Sequence, residues 1–289
     1  MPTPIHNTLQ DVFNQYDAYL IDAWGVLHDG GQVFPKALAC LSFLKAQSKQ
    51  VVILSNAARR RKAFDQELAK SGINDSLFDF SLSSGELFWQ QFNQGRFKLG
   101  HYCLYLGPQR SRGILAGLDL QLVDDVAKAD FIINAGVEGN QLDASSQLPL
   151  LKLAADRQLP MLCVNPDLVA IRHGVRGISA GAIARDYERF GGYIEYFGKP
   201  YPDIYEECFK RLPSVPLSRM LMIGDGLQTD ILGANSAGID SLFVTQGIYR
   251  EQIAAIDQLS TIATSANSLL DLFLSEGAQP DYIIERLQS

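Results

Sequence analysis

Short apolar runs rich in β-branched and aromatic residues alternate with helical patterns along most of the chain. Tyr16–Asp22 and Gln50–Ser55 read as strands, the second through the run Val51-Val52-Ile53-Leu54. Pro35–Ser48 carries Leu38, Leu41 and Leu44 at three-residue spacing, and Arg59–Ser71 stops before Gly72; both predict helices, as does Ser84–Asn93. A second series follows, with strands at His101–Leu106, Gln121–Val123, Ala129–Asn134 and Pro160–Asn165 and helices near Ser111–Ala116, Ala144–Gln158 and Ala180–Phe190. A third runs from strand Tyr193–Phe197 through helix Pro202–Leu212, strand Arg219–Gly224 and helix Thr229–Ala237, stopped by Gly238, to strand Ser241–Val244.

Strands alternating with helices predict βαβ units, and hence an α/β fold with parallel sheets. The chain has no internal repeat, low-complexity tract or Pro/Ser linker to mark a boundary. The segments that carry chemistry lie before residue 61 and after residue 195, and the stretch between has its own β/α pattern. This predicts a discontinuous core domain of residues 1–97 plus 194–289 and an inserted domain of residues 98–193. Two short hinge strands are expected near residues 95–99 and 191–195.

Composition narrows the function. A chain of 289 residues with 47% apolar and 20% charged residues can bury one sizeable core or two smaller ones. The net charge of −7 argues against a non-specific grip on a nucleic-acid backbone. Met1–Gln15 is polar and does not read as a signal peptide, and no run of ~18 uncharged apolar residues predicts a membrane span. Cys40, Cys103, Cys163 and Cys208 are scattered without a CxxC, which fits buried thiols and a cytoplasmic location. The four histidines show no metal-ligand spacing.

The candidate chemistry stands at strand ends. Asp22 closes the run Tyr19-Leu20-Ile21, and Asp225 follows Met220–Gly224. Open α/β sheets place ligands at such strand tips. An aspartate can attack phosphorus and carry the phosphoryl group, with Mg²⁺ offsetting the charge. Asp22 can serve both roles, Asp225 supplies a second carboxylate, and the backbone carbonyl of Trp24 faces the same pocket if the chain turns tightly at Gly25. Ser55 and Asn56 end one strand, and Lys199, in Gly198-Lys199-Pro200, follows another. A hydroxyl, an amide and an ammonium suit the phosphoryl oxygens, where transition-state charge accumulates. Thr229 and Asp230 either cap a helix or support the site.

Taken in chain order, these segments resemble the four motifs of the haloacid dehalogenase superfamily of aspartate-nucleophile phosphotransferases, and more narrowly its class IIA branch, which includes pyridoxal phosphatase and 4-nitrophenylphosphatase-like enzymes. Asp22-Ala23-Trp24-Gly25-Val26-Leu27, Ser55-Asn56-Ala57-Ala58-Arg59-Arg60, Gly198-Lys199-Pro200 and Ile223-Gly224-Asp225-Gly226-Leu227-Gln228-Thr229-Asp230 stand for the motifs. Asn165-Pro166-Asp167, Gly181-Ala182-Ile183 and Gln279-Pro280-Asp281-Tyr282 resemble further segments of that branch. The resemblance implies a Rossmann-like parallel-sheet core with an inserted α/β cap, a Mg²⁺ ion, a small phosphorylated metabolite as substrate and a homodimer formed through the cap. It implies Asp22, Ser55, Asn56 and Lys199 as catalytic residues, Asp22, Trp24 and Asp225 as metal ligands, and Asp230 in support.

One position departs from the family. Its phosphatases usually carry a second aspartate two residues after the nucleophile, to protonate the leaving alcohol and activate water; here that position is Trp24. His28 or Asp29 could substitute, or they could simply form the turn at Asp29-Gly30-Gly31. The inserted segment adds a basic stretch, Leu168–Ala180, in which Arg172, His173 and Arg176 are spaced by glycines. It reads either as a loop that, with Asn165 and Asp167, binds the non-phosphate part of a substrate, or as a solvated basic loop. Two functions remain open: a Mg²⁺-dependent phosphatase acting through an aspartyl phosphate on Asp22, and a weakened relative that binds a phosphorylated ligand in a regulatory role.

Overall fold

The computed structural model describes residues 3–139, 141–172, 175–259 and 262–289. In chain order its strands are β1 (Ile5–His6), β2 (Ala18–Ile21), β3 (Gln50–Ser55), β4 (Phe80–Ser83), β5 (Tyr102–Leu106), β6 (Gln121–Val123) and β7 (Phe131–Asn134), then β8 (Met161–Cys163), β9 (Val169–Arg172), β10 (Val175–Ile178), β11 (Ile194–Tyr196), β12 (Met220–Gly224), β13 (Asp240–Val244) and β14 (Tyr282–Ile284). The chain divides into two compact units. The first comprises the chain up to Ser55, Asp65–Ser81 and the chain from Tyr205 onward; the second comprises Asn56–Phe64 and Leu82–Ile204. This division assigns Leu82 to residue 97, and residues 194 to 204, to the second unit, whereas the sequence pattern drew the boundaries at 97 and 194.

One sheet has the order β1-β14-β13-β12-β2-β3-β4. From β1 across to β3 its pairings are parallel. The strands β2 and β12 are buried at every residue, which is why they read as unbroken apolar runs and not as alternating patterns. Helix Pro35–Ala46 crosses from β2 to β3, starting at a proline that needs no N–H partner. It buries Ala37, Cys40, Leu41 and Leu44. That seam is offset from the leucine spacing, so Leu38 is only half-buried. Between β12 and β13, a π-type turn, Leu227–Ile231, leads into helix Leu232–Ala237, which ends at Gly238 with φ +71°.

The second sheet is parallel throughout, in the order β11-β8-β7-β5-β6. Helices Leu148–Asp156 and Ala180–Arg189 bury Leu151, Ala154, Ile183, Ala184 and Tyr187 in a core with Ile132 and Met161.

Four sequence expectations change. Residues 95–99 form no strand: Gly95 turns the chain at φ +73°, Arg96 pairs with Glu195 and Asp203, and the Phe97 ring packs on Phe197. The stretch Leu168–Ala180 is not an irregular loop, because β9 and β10 pair antiparallel within it. The helix expected at Ser111–Ala116 is a 3₁₀ helix, Gln109–Leu115, with Ala116 as its cap. The strand β4 and the helices Arg250–Leu259 and Ile262–Glu276 were missed.

At the N-terminal ends of the central strands, Asp17 binds Arg219 through both carboxylate oxygens, at 2.7 and 2.8 Å, and accepts from Lys49 at 3.2 Å. The hydrogen bond from Arg219 holds the Asp17 carboxyl down at about 2, against an ordinary 3.8. A depressed value means that the contribution to stability is fully present above the ordinary value and is lost as pH falls through about 2. The Asp17→Asn variant should therefore melt below wild type near neutral pH, with the gap narrowing as pH falls from about 5 to about 3. Thermal unfolding followed by circular dichroism checks this; a gap independent of pH would contradict it.

Candidate active site

The strands β12, β2 and β3 lie side by side in register, with Ile223 beside Ile21 and Ile21 beside Ile53. The Asp22 N–H donates to the Ile223 carbonyl at 2.9 Å. From β2 the chain builds outward through β3 and β4; from β12 it builds the other way through β13 and β14. The β2–β12 junction is thus a topological switch point, where open α/β sheets leave a crevice beyond the strand ends.

Asp22, Asp225 and Asp230 meet there. All three are buried, and each offers a carboxylate oxygen within 4.8 Å of the others. The Asp225 Oδ2 accepts from Ile248 N at 2.7 Å, and the Asp230 Oδ2 accepts from Gly226 N at 2.9 Å, so two of the carboxylates are oriented by backbone donors. Gly25, at φ +78°, and Gly247 flank Asp225: a Cβ on either would lie within about 2 Å of the Asp225 Oδ2. Buried carboxylates this close repel one another, and an all-oxygen donor set suits a hard divalent cation. The residues present therefore fit Mg²⁺.

The loop after Asp22 turns at Gly25, whose N–H donates to the His28 carbonyl, while the Ala23 carbonyl accepts from Leu27 and His28. The Trp24 side chain is half-buried and folds over Gly30; a Cβ on Gly30 would lie 2.0 Å from Cη2 of the indole. The indole meets the His28 ring at 5.3 Å. The His28 Nδ1 accepts from Gly30 N at 3.0 Å, which assigns the imidazole proton to Nε2, and burial lowers its pKa. The Asp29 Oδ1 accepts from Gly31 N and Gln32 N at 2.9 and 2.7 Å, and these backbone bonds hold its carboxyl below the usual range. Asp29 is thus engaged in the turn, and His28 retains one ring nitrogen outside these bonds.

Ser55 is buried at the end of β3. The other sequence candidates belong to the second unit. Lys199 follows β11, which pairs with β8, so it does not extend a strand of the seven-stranded sheet as the sequence pattern implied. Lys199 and Asn56 are buried together, joined by two hydrogen bonds between the Asn56 amide and the Lys199 backbone, and Asn56 also donates to Asp167. The Asn165 Oδ1 accepts from Asp167 N at 2.9 Å, so Asn165 shapes the turn that presents Asp167. Arg172 ends β9 and Arg176 is exposed on β10; His173 lies outside the described residues. Sequence reasoning missed two participants. Gly247 carries no signal beyond its place after a strand, and Ser84 was legible only as a helix start. The buried Ser84 hydroxyl lies 2.6 Å from the Val164 carbonyl and 2.8 Å from that of Asn56.

A model of the haloacid dehalogenase-like hydrolases matches residues 88–238, and another of the same description matches residues 19–121. The chain belongs to this family. Within it, the hydrolase is 28% identical to mouse chronophin over 249 residues, covering 83% of this chain and 84% of chronophin. It is 24% identical to the D-glycerol 3-phosphate phosphatase of Mycobacterium tuberculosis, covering 83% of this chain and 66% of that protein. The crystal structure of a haloacid dehalogenase-like hydrolase from Brucella suis superposes with a TM-score of 0.83 at 27% identity, over 98% of this chain and all of that one. The protein is a hydrolase of the phosphatase type.

A methyl group at Gly247 would displace the Asp225 carboxylate. Gly247→Ala should weaken Mg²⁺ binding by about 10-fold or more, the scale of losses when a group that orients a metal ligand is altered. Calorimetric titration with Mg²⁺ measures this, with the far-ultraviolet circular dichroism unchanged. Unaltered affinity in a folded variant would show that Asp225 does not hold the ion.

Proposed function

We propose that this hydrolase releases phosphate from small phosphorylated metabolites, with Asp22 as the nucleophile. The observation that carries the reading is the buried grouping of Asp22 with Asp225 and Asp230 at the switch point between β2 and β12. Asp22, Asp225 and the Trp24 carbonyl would hold Mg²⁺, with Asp230 in support. When bound, the ion offsets the negative charge of the phosphate and of the attacking carboxylate.

In the first step one Asp22 oxygen forms a bond to phosphorus while the bond to the leaving oxygen breaks, giving an aspartyl phosphate and an alkoxide or phenoxide. Lys199 and Ser55 would bind the phosphoryl oxygens through an ammonium and a hydroxyl. Water then attacks phosphorus, the bond from phosphorus to the Asp22 oxygen breaks to restore the carboxylate, and the proton lost by the water passes to the departing alkoxide or to solvent. The position that usually supplies the proton for the first step and the base for the second is Trp24, an instance of the class IIA motif with its second acid replaced.

The glycerol phosphate named for the mycobacterial relative makes small polyol phosphates a natural part of a substrate screen, beside sugar phosphates, nucleotides and pyridoxal phosphate. Arg172 and Arg176, on β9 and β10, are proposed to serve the non-phosphate part of the substrate. Four buried cysteines outside any disulfide support work in the cytoplasm, and a homodimer through the inserted unit belongs to the same reading. A second reading is a regulatory protein that binds a phosphorylated ligand and turns it over slowly. The indole at the acid's position favours it. Phosphate release from a panel of phosphoesters, with and without Mg²⁺, separates the two.

Asp22→Asn should abolish phosphate release while the protein stays folded, because an amide keeps the shape of the carboxylate but cannot attack phosphorus. Turnover surviving in a folded Asp22→Asn protein would rule out the aspartyl phosphate.

Wild type should favour 4-nitrophenyl phosphate over an alkyl phosphate by ~10²–10⁴ in kcat/KM, the usual worth of general acid catalysis, because only the alkoxide needs a proton as it leaves. Comparable rates on both esters would show that another residue supplies the acid.

A further inference from the structure

We infer that the Asn56 side chain does not bind substrate phosphate and is instead the positioning residue for Lys199, with Asp167 as its anchor. This rests on the assignment of Lys199 to the phosphate.

A carboxamide has two N–H donors and one oxygen. The Asn56 Nδ2 donates to Asp167 Oδ1 at 2.7 Å and to the Lys199 carbonyl at 2.9 Å. The Asn56 Oδ1 accepts from Lys199 N at 2.7 Å. Both hydrogens are thereby engaged, and a phosphoryl oxygen could take one only by breaking a bond already made. The amide orientation follows from the partners: reversed, it would set N–H against the Lys199 N–H and oxygen against the Asp167 carboxylate.

Two of these three bonds form a two-point clamp on one residue. Gripping both the N–H and the C=O of Lys199 fixes that residue's backbone, and with it the direction in which its side chain leaves the chain. Asn56 and Lys199 are 3% and 2% exposed, so water does not readily replace these bonds. The packing leaves no slack. Gly198 sits at φ +114°, and a Cβ there would lie 2.4 Å from the Asn56 Oδ1 and 2.9 Å from the Ser84 Cβ. The anchor is firm as well, since Asp167 is held through its own N–H by Asn165 and through its carbonyl by the Gly181 N–H at 3.0 Å. A carboxylate accepting from the amide also polarises it, which strengthens its oxygen as an acceptor for Lys199 N. The Asn165-Pro166-Asp167 turn and the Asn56 amide thus converge on the backbone of Lys199.

The test is a double-mutant cycle on 4-nitrophenyl phosphate hydrolysis. Asn56→Ala and Asp167→Ala should each lower kcat by about 10–100-fold, the range for losing a hydrogen bond to a charged group, with KM changed much less. The loss in the double variant should fall well short of the sum of the single losses, because the Asp167–Asn56 bond is already gone in Asn56→Ala. Asp167→Asn keeps an acceptor oxygen and should restore most of the rate. Inhibition by inorganic phosphate should weaken in parallel in the two alanine variants. A second readout needs no turnover: deuterium exchange at the Lys199 amide should accelerate at least about 10-fold in Asp167→Ala at unchanged global stability. Additive losses, or weaker phosphate inhibition in Asn56→Ala with wild-type kinetics in Asp167→Ala, would overturn the proposal and put Asn56 on the phosphate. An inactive wild type that still shows the exchange effect would leave the clamp standing and remove the phosphatase reading alone.

Discussion

The parallel register between β2 and β12 is the constraint on which the site depends. A slip of one residue would turn every side chain on β2 to the opposite face and carry Asp22 away from Asp225. The apolar pattern does not specify this register, because both strands are buried throughout and lack an alternating face. Polar contacts at the two ends supply what the pattern omits. At the start, the Asp17 carboxylate binds Arg219 and Lys49, just ahead of β12 and β3. At the far end, Asp22 N–H reaches the Ile223 carbonyl. The opposed charges lie where the strands begin, and the like charges of the carboxylate cluster lie where they end.

That cluster is an unfavourable arrangement in isolation, and the surrounding backbone is shaped to hold it. Donors from Ile248 and Gly226 orient Asp225 and Asp230, and Gly25 and Gly247 admit Asp225 by having no side chain. Part of the folding energy thus maintains a close grouping of like charges, in keeping with the strain and repulsion that functional sites carry. The second unit achieves a comparable precision without charge repulsion, through hydrogen bonds among Asn56, Asp167 and the Lys199 backbone.

Much of this was legible in the chain. Apolar runs and glycine stops located β3 to the residue and most other strands within two, most readily where the run is buried on both faces, as in β2, β7 and β12. Asp22 and Asp225 were legible as a pair because each ends such a run. The partners of Asn56 were not, since Asn56, Asp167 and Lys199 lie far apart in sequence and an amide gives no sign of whether it serves a ligand or a neighbouring backbone. Which sheet the strand before Lys199 joins was not legible either, because a three-residue strand looks the same in both. The hairpin of β9 and β10 was hidden by a polar, glycine-spaced composition that resembles a loop. Residues 95–99 read as a hinge strand because sequence alone did not show that Arg96 and Phe97 would commit their side chains to Asp203, Glu195 and Phe197.

The indole of Trp24 resting on Gly30 has an evolutionary consequence. The two positions are epistatic. While the indole is present, any side chain at residue 30 collides with it; once an aspartate replaces the indole, a void opens above a glycine that has nothing to fill it. Replacing the indole with a smaller side chain therefore forfeits its packing on Gly30, and filling residue 30 first is sterically blocked. Each order of change passes through a less stable intermediate. Any side chain at residue 30 would also be strained at φ +87°, so the indole and the glycine hold one another in place.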